Sequence, residues 1–225
     1  MQIDILSLFP NMFRSVFGES IIKRACNSEL VEINLVDIRD YALDSHRSVD
    51  DKPYGGGPGM VMMCQPVFDC VKDVCSKGAT PDEIILMTPQ GVPFNQGLAR
   101  ELVAKRRLVL IAGHYEGFDE RIREHLATME ISLGDFVLSG GEIPAMAITD
   151  ALIRLIPGAL GHAEATHEES FSENTLEYPQ YTRPAVYRDL AVPEMLLSGH
   201  HGNIKQWRSE QALERTRQRR PDLLE

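Results

Sequence analysis

A chain of 225 residues, 43% hydrophobic and 25% charged, has the composition and length of a globular protein with a sizeable core, which excludes a disordered chain, a collagen-like fibre and a coiled coil. Its net charge of -10 argues against a surface that binds nucleic acid everywhere, but residues 204–220 hold six Lys or Arg against two acidic residues, so basic charge is focused near the C-terminal end. Apolar runs such as Leu108 to Ala112 are strand-sized, and the start MQIDILSLFP has no basic n-region or small-residue cleavage site, so the expectation is a cytoplasmic protein with no membrane span.

Ile3, Ile5, Leu6 and Leu8 form an apolar run stopped by Pro10, which predicts a buried strand. Met12, Phe13, Val16, Phe17 and Ile21 recur at helical spacing, and Val31, Ile33 and Leu35 alternate as in a strand. Residues 40–60 carry no period and are rich in Gly, Asp and Pro, which predicts a long loop. A helix is expected over 66–76, with Cys70 and Cys75 packed as small hydrophobes beside Val67, Val71 and Val74. A strand at 83–87, a helix at 98–105, a strand at 108–112, a short helix near 118–127 and a strand at 130–138 follow. Ile143 to Ile156 reads as an amphipathic helix, with Ile143, Met146, Ala147, Leu152, Leu155 and Ile156 in its pattern and Pro157-Gly158 as its end. Strands alternating with helices, and lacking a clean polar face, predict an α/β fold with a mainly parallel sheet covered by helices. Residues 161–180 are polar, acidic and aperiodic, which predicts a flexible linker, and from 181 the chain turns basic and helical, with Asn203 as a cap and Pro221 as a stop. Three segments result: 1–160, the linker 161–180, and a small basic domain at 181–225.

Four cysteines at 26, 64, 70 and 75 form no CxxC pair, so no zinc site is expected. Ligands of an open parallel sheet bind at the carboxyl ends of its strands, and three glycine-bearing turns fall there: Thr88-Pro89-Gln90-Gly91, Gly113-His114-Tyr115-Glu116-Gly117 and Ser139-Gly140-Gly141-Glu142. Their free N–H and C=O groups suit a nucleotide-like ligand. Tyr54-Gly55-Gly56-Gly57-Pro58-Gly59 has the composition of a phosphate loop, but no GK[ST] follows it, and no GxGxxG follows the first strand. A cationic adenosyl ligand among Glu116, Asp119, Asp135 and Glu142 fits better than a phosphate ester.

VDDKPYGGGPGM (49–60), TPQG (88–91), GHYEGFDERI (113–122), SLGDFVLSGGE (132–142), RLIPG (154–158) and YTRP (181–184) closely resemble the bacterial tRNA (guanine-N1)-methyltransferase family, in one order along nearly the whole chain. The resemblance implies a SPOUT fold whose C-terminal part is threaded into a deep trefoil knot, followed by a small all-helical domain. It implies S-adenosylmethionine held by Met87, Gln90, Gly91, Gly113, Tyr115, Glu116, Gly140 and Gly141, with Leu133, Gly134, Asp135, Phe136, Val137 and Leu138 lining the adenosyl and methionine parts. It also implies a homodimer with active sites at the subunit interface, where the linker of one subunit closes over the cofactor of the other. Such enzymes have been linked to magnesium, and no cluster of ligands in this chain fixes a site for one.

Methylation at guanine N1 needs a base to take the N1 proton and a cation or donors for the charge that spreads to O6. By resemblance Arg154 is the arginine, and Glu169 stands in Glu168-Glu169-Ser170-Phe171 where the family carries an aspartate. A glutamate brings the same chemistry with one more methylene, about 1.5 Å of reach. His114 stands in place of an arginine and Phe136 in place of a tyrosine. For tRNA, Arg208, Arg215 and Arg219 share one helix face suited to phosphates, Asp50, Arg183 and Trp207 are candidates for base contacts, and the loop around His46, Arg47 and Asp50 is expected to approach the anticodon. Read from residues alone, Trp207 serves equally as a core anchor, the arginine helix as a solvated face, and Glu164, Glu168, Glu169, Glu173 and Glu177 as solvation of a linker. The competing functions are another knotted RNA methyltransferase and a non-catalytic RNA-binding relative.

Overall fold

A computed structural model describes residues 1–161 and 169–225, and the chain folds into two compact units, Met1–Gly161 and His162–Glu225. The expected linker at 161–180 lies partly, and Glu164 and Glu168 wholly, outside the described residues.

The first unit is built on a five-stranded sheet in the order β2-β1-β6-β5-β7, from β1 (Gln2–Ser7), β2 (Glu32–Asp37), β5 (Glu83–Pro93), β6 (Arg107–Ala112) and β7 (Met129–Ser132), every neighbouring pair parallel. A separate two-stranded pair joins β3 (Asp50–Asp51), inside the long loop, to β4 (Val61–Met62) just after its end. Successive residues of a strand face opposite sides, so Ile3, Ile5, Leu108, Leu110 and Ala112 enter one core while Leu6, Val109 and Ile111 enter the other. The first core is covered by α1 (Phe13–Phe17), α2 (Ser20–Asn27), α4 (Gln96–Val103) and α6 (Glu142–Ile153), the second by α3 (Cys64–Ser76) and α5 (Glu120–His125). All of β6 is buried, as a central parallel strand requires.

Two charges enter this interior as a pair. Arg107 Nε donates to Asp4 Oδ2 at 2.8 Å, both side chains 3% exposed, and the guanidinium also donates to the carbonyls of Val74 and Lys77, each at 2.7 Å, and of Ala79. The pair tolerates burial because nearly every donor on it is met. The four cysteines are free thiols, and burial pushes Cys70 up to about 12.

Four local expectations are corrected. The helical run at 12–21 is two helices, because Gly18 ends α1 with its N–H on Arg14 O at 3.0 Å and Ser20 takes a φ of 52°. The strand expected at 130–138 stops at Ser132, where Ser132 Oγ accepts from Gly134 N at 3.1 Å and Gly134 takes a φ of 151°, and Phe136 and Val137 then stand 55% and 86% exposed. The strand at 83–87 runs on to Pro93 through an irregularity between Met87 and Val92 that absorbs the turn at 88–91. The helix near the end of this unit keeps Leu152 in the core with Met146, Leu155 and Ile156 packed against it, but it also buries Ala145, Ile148, Thr149 and Ile153 and leaves Ile143 51% exposed; it is apolar on most sides, so periodicity alone located only part of its inner face.

The second unit holds α7 (Glu194–Leu197) and α8 (His201–Arg219), and it is not all-helical. β8 (Val186–Tyr187) pairs antiparallel with β9 (Leu190–Ala191) across Arg188 and Asp189, whose φ values of 46° and 61° suit a tight hairpin. The long helix starts two residues before Asn203, with His200 at its cap, and Pro221 follows its end. Buried Thr216 ties the unit together: its Oγ1 donates to Ala212 O at 2.7 Å and accepts from Leu176 N at 2.9 Å.

Candidate functional site

The carboxyl ends of β5, β6 and β7 open into one cavity of about 350 Å³ in the first unit. Its lining includes Met87, Gln90, Gly113, Tyr115, Glu116, Leu133, Gly134, Phe136, Val137, Leu138, Gly140 and Gly141. All three turns therefore meet at one place. Gly91 and Asp135 are not among the lining residues. A Cβ on Gly91 would collide with the backbone of Glu130 and Ile131, so its role is to let β5 run close beside β7.

Backbone interactions hold the turns to each other. Gly141 N donates to Gly113 O at 2.7 Å, and His114 pairs with Gly140 in an isolated antiparallel bridge. A Cβ on Gly141 would stand 2.8 Å from Ala112 Cα, 2.9 Å from Gly113 N and 2.9 Å from Met87 Cβ, and one on Gly140 would strike Glu142 and His114. These two glycines are there because backbone must pass where a side chain has no room.

Beneath the turns lies a polar group that sequence reasoning did not assemble. Glu142 is 2% exposed; its Oε1 accepts from Ser7 Oγ at 2.9 Å, and its Oε2 stands 3.6 Å from His114 Nδ1. Ser7 Oγ also accepts from Phe9 N at 2.9 Å. Hydrogen bonds thus join the end of β1 to the start of α6, and His114, in the turn after β6, stands beside the same carboxylate without a hydrogen bond to it. His114 lines the cavity, its ring edge-on to Phe9 at 4.9 Å and to Tyr115 at 5.3 Å. Arg123 is a lining residue the sequence did not flag; its Nη1 donates to Gln90 Oε1 at 2.8 Å and to Glu130 Oε2 at 2.6 Å, fixing the Gln90 side chain. A helical arginine next to a glutamate carries no signal of that kind, so only the fold shows it.

The long loop is fastened to this site. Glu116 N donates to Met60 O at 3.0 Å, Met62 N to Gly117 O at 2.9 Å, and Asp119 N to Met62 O at 3.0 Å. Arg121, donating through Nε at 2.8 Å and Nη2 at 2.7 Å, holds the Asp119 carboxyl well below the usual range. Cys64, beside Asp119 and chiefly through burial, is pushed up to about 11. On the same loop His46 is exposed, Asp50 sits in β3 opposite Met62, and Arg47 is paired with Asp37 at 3.2 Å and with Asp40.

Of the two catalytic candidates, Arg154 is the C-cap of α6, its N–H on Asp150 O at 3.1 Å, and Glu169 belongs to the second unit. There Glu169 lines a cavity of about 1120 Å³ together with Tyr178, Tyr181, Arg183, Lys205 and Arg208. The structure thus brings Glu169 together with two of the arginines expected to meet RNA. Arg208 lies over the Tyr178 ring at 4.6 Å, and Arg215 Nη1 reaches Glu177 O at 3.4 Å, so both bind the 177–178 stretch. Arg219 is exposed and Trp207 is half-buried; neither lines the cavity. Among the described residues no group of three or more His, Cys, Asp and Glu side chains could hold a metal ion, and no helix is long and apolar enough to cross a membrane.

Comparison with known proteins adds a family to this geometry. The model of the family described as tRNA (Guanine-1)-methyltransferase TrmD matches residues 1–225. Relatives described as tRNA (guanine-N(1)-)-methyltransferase include one from Moorella thermoacetica, 57% identical over 100% of this chain and 90% of its own, and one from Dehalococcoides mccartyi strain CBDB1, 55% identical over 100% and 91%. A third, from Bacillus cereus strain AH820, is 54% identical over 100% of this chain and 92% of its own.

Proposed function

Because the chain belongs to the tRNA (guanine-N1)-methyltransferase family, we propose that it transfers a methyl group from S-adenosylmethionine to N1 of guanine at tRNA position 37, beside the anticodon. The observation that carries this reading is the meeting of three glycine turns on one cavity at the carboxyl edge of a parallel sheet. The cavity suits the cofactor: its volume is at the lower end for small-molecule sites, Gly140 and Gly141 let the third turn close on the second where a side chain has no room, and Met87, Leu133 and Leu138 give apolar walls. When bound, the cofactor supplies a methyl group already activated on a sulfonium.

The protein's own task is then to position and deprotonate guanine. Glu169 takes the N1 proton, which frees the ring nitrogen's lone pair for in-line attack. Arg154 meets the negative charge that spreads to O6. Arg183 and Arg208, beside Glu169 in the second unit's cavity, hold RNA near the base, and Arg215, Arg219, Trp207, His46, Arg47 and Asp50 extend the contact surface. The fold would be the knotted SPOUT type acting as a cytoplasmic homodimer, in which the linker carrying Glu169 closes over the partner's cofactor.

The test is methyl transfer from labelled S-adenosylmethionine to two tRNA transcripts, one with guanine and one with adenine at position 37. Label in the guanine transcript alone is expected. Label in both would overturn the target, and no label in either, with cofactor bound, would make the chain a binding protein with a disabled base.

A further inference from the structure

The motif YGGGPG at 54–59 resembles a phosphate loop in composition and binds nothing in the function proposed above. Its structure points to a different use. Tyr54 is 100% exposed, the extreme among the large hydrophobic side chains that are open to solvent. Folding has no use for a tyrosine in that position, since a ring buries 150–250 Å² only when something covers it.

The residues around it keep it in the open. Gly55, Gly56, Gly57 and Gly59 have φ values of 86°, 80°, 128° and 78°, which side-chain-bearing residues rarely adopt. A Cβ on Gly55 or Gly56 would meet nothing within 4 Å, so these glycines serve the path of the chain and not its packing. The result is a turn, closed by Gly56 N on Pro53 O at 3.2 Å, that carries one aromatic ring away from the body.

The base of the loop is held in place. β3 and β4 pair beneath it, Met63 N donates to Val49 O at 2.9 Å, and Glu116 N donates to Met60 O at 3.0 Å. Gly59 passes so close to Glu116 that a Cβ there would strike the carboxylate. Tyr54 is therefore mounted on a loop whose foot is the same 113–117 turn that lines the cofactor cavity.

We infer that Tyr54 is a stacking platform for an unpaired base of the RNA substrate, next to the guanine that is methylated. The inference rests on the proposed function, which requires that guanine to leave its stack and so strips a neighbouring base of its partner. A tyrosine face restores the lost contact for any base, because every base has a π-face.

The experiment uses the full chain and two variants, Tyr54→Ala and Tyr54→Phe. Affinity for the guanine transcript is read by fluorescence anisotropy, a readout independent of turnover, with cofactor affinity by calorimetry and molecular mass in solution measured alongside. Loss of one stacked base is expected to weaken tRNA binding by about 5- to 100-fold in Tyr54→Ala, while Tyr54→Phe, which keeps the ring, stays within about twofold. Cofactor affinity and mass should not change. Wild-type tRNA affinity in the alanine variant overturns the inference, and so does a phenylalanine variant as weak as alanine, which would assign the work to the hydroxyl. A lower mass in Tyr54→Ala would overturn it in favour of a second copy of this chain as the occupant. If the wild type binds tRNA without methylating it, the proposed function fails while the alanine-to-phenylalanine comparison still decides Tyr54; if the wild type binds no tRNA, both fail.

Discussion

Replacing Gly141 with alanine should damage the cavity proposed for the cofactor, because the added methyl group meets backbone atoms on two sides. The new Cβ would lie 2.8 Å from Ala112 Cα, and carbon atoms prefer at least about 3.5 Å, so something must retreat by about 0.7 Å. Ala112 and Gly113 end a strand that is buried along its whole length, so the segment at 139–141 is the part that moves. A retreat of that size stretches the Gly141–Gly113 hydrogen bond from 2.7 Å to about 3.4 Å, at the limit of the interaction. Overpacking of this kind costs about 1–3 kcal/mol. Carried by the binding step, that predicts S-adenosylmethionine affinity lowered about 5- to 150-fold; carried by the free protein, it predicts a melting temperature lower by about 2–12 °C. Calorimetric titration and a thermal melt together capture either. Adding Met87→Ala should restore nothing, because alanine keeps the Cβ that is in contact and both backbone clashes remain. Gly202→Ala, where a Cβ meets nothing within 4 Å inside α8, should be neutral or slightly stabilising. Cofactor affinity and melting both unchanged in Gly141→Ala would refute the argument.

Glu142→Ala leaves Ser7 Oγ buried without its carboxylate acceptor, which should cost about 1–3 kcal/mol, while Glu142→Gln keeps an acceptor for Ser7 and should cost clearly less; denaturant melts that rank them in the opposite order would sink this account. Glu169→Gln should lower kcat at least about 100-fold with tRNA affinity retained, and full activity would remove the residue from the role of base. Acid stability follows from carboxylates whose pKa values are held down in the fold: Asp119 by Arg121, Asp82 by the backbone N–H groups of Arg107 and Arg106, and Asp73 by Lys77 and then Tyr41. Because the folded values are depressed, the stability these groups add is present above about pH 4 and is lost as pH falls below it through their folded values. Melting temperatures in buffers from pH 6 to pH 2 should fall mainly below about pH 4, and a flat profile there would contradict the assignment.

Much of the frame is legible in the sequence for a physical reason. A central parallel strand is buried on both faces, so β1 and β6 appear as short, largely apolar runs, with Pro10 soon after the first and a glycine turn at the end of the second. The same signal fails where apolar residues serve a surface. Leu133, Phe136, Val137 and Leu138 look like the continuation of β7, yet they line the cavity and leave the sheet. The inner face of α6 is obscured because apolar residues occupy most of its circumference. The hairpin at 186–191 depends on two left-handed residues, Arg188 and Asp189, that carry no glycine or asparagine to announce the turn. The Ser7–Glu142–His114 network is invisible for another reason: its members are far apart in the chain and only the fold brings them together.

That distance governs how the protein is made. Ser7 and its acceptor Glu142 are 135 residues apart, and β1 takes β6 as a neighbour only after the chain has reached residue 107. During synthesis from the N-terminus, β1 is among the first segments to emerge and must wait for most of the first unit before both its edges are filled. A chain interrupted before Glu142 would carry completed strands but no floor for the cavity. A ligand of that cavity therefore cannot guide early folding, and incomplete products present an apolar, unsealed sheet that cellular proteases can recognise.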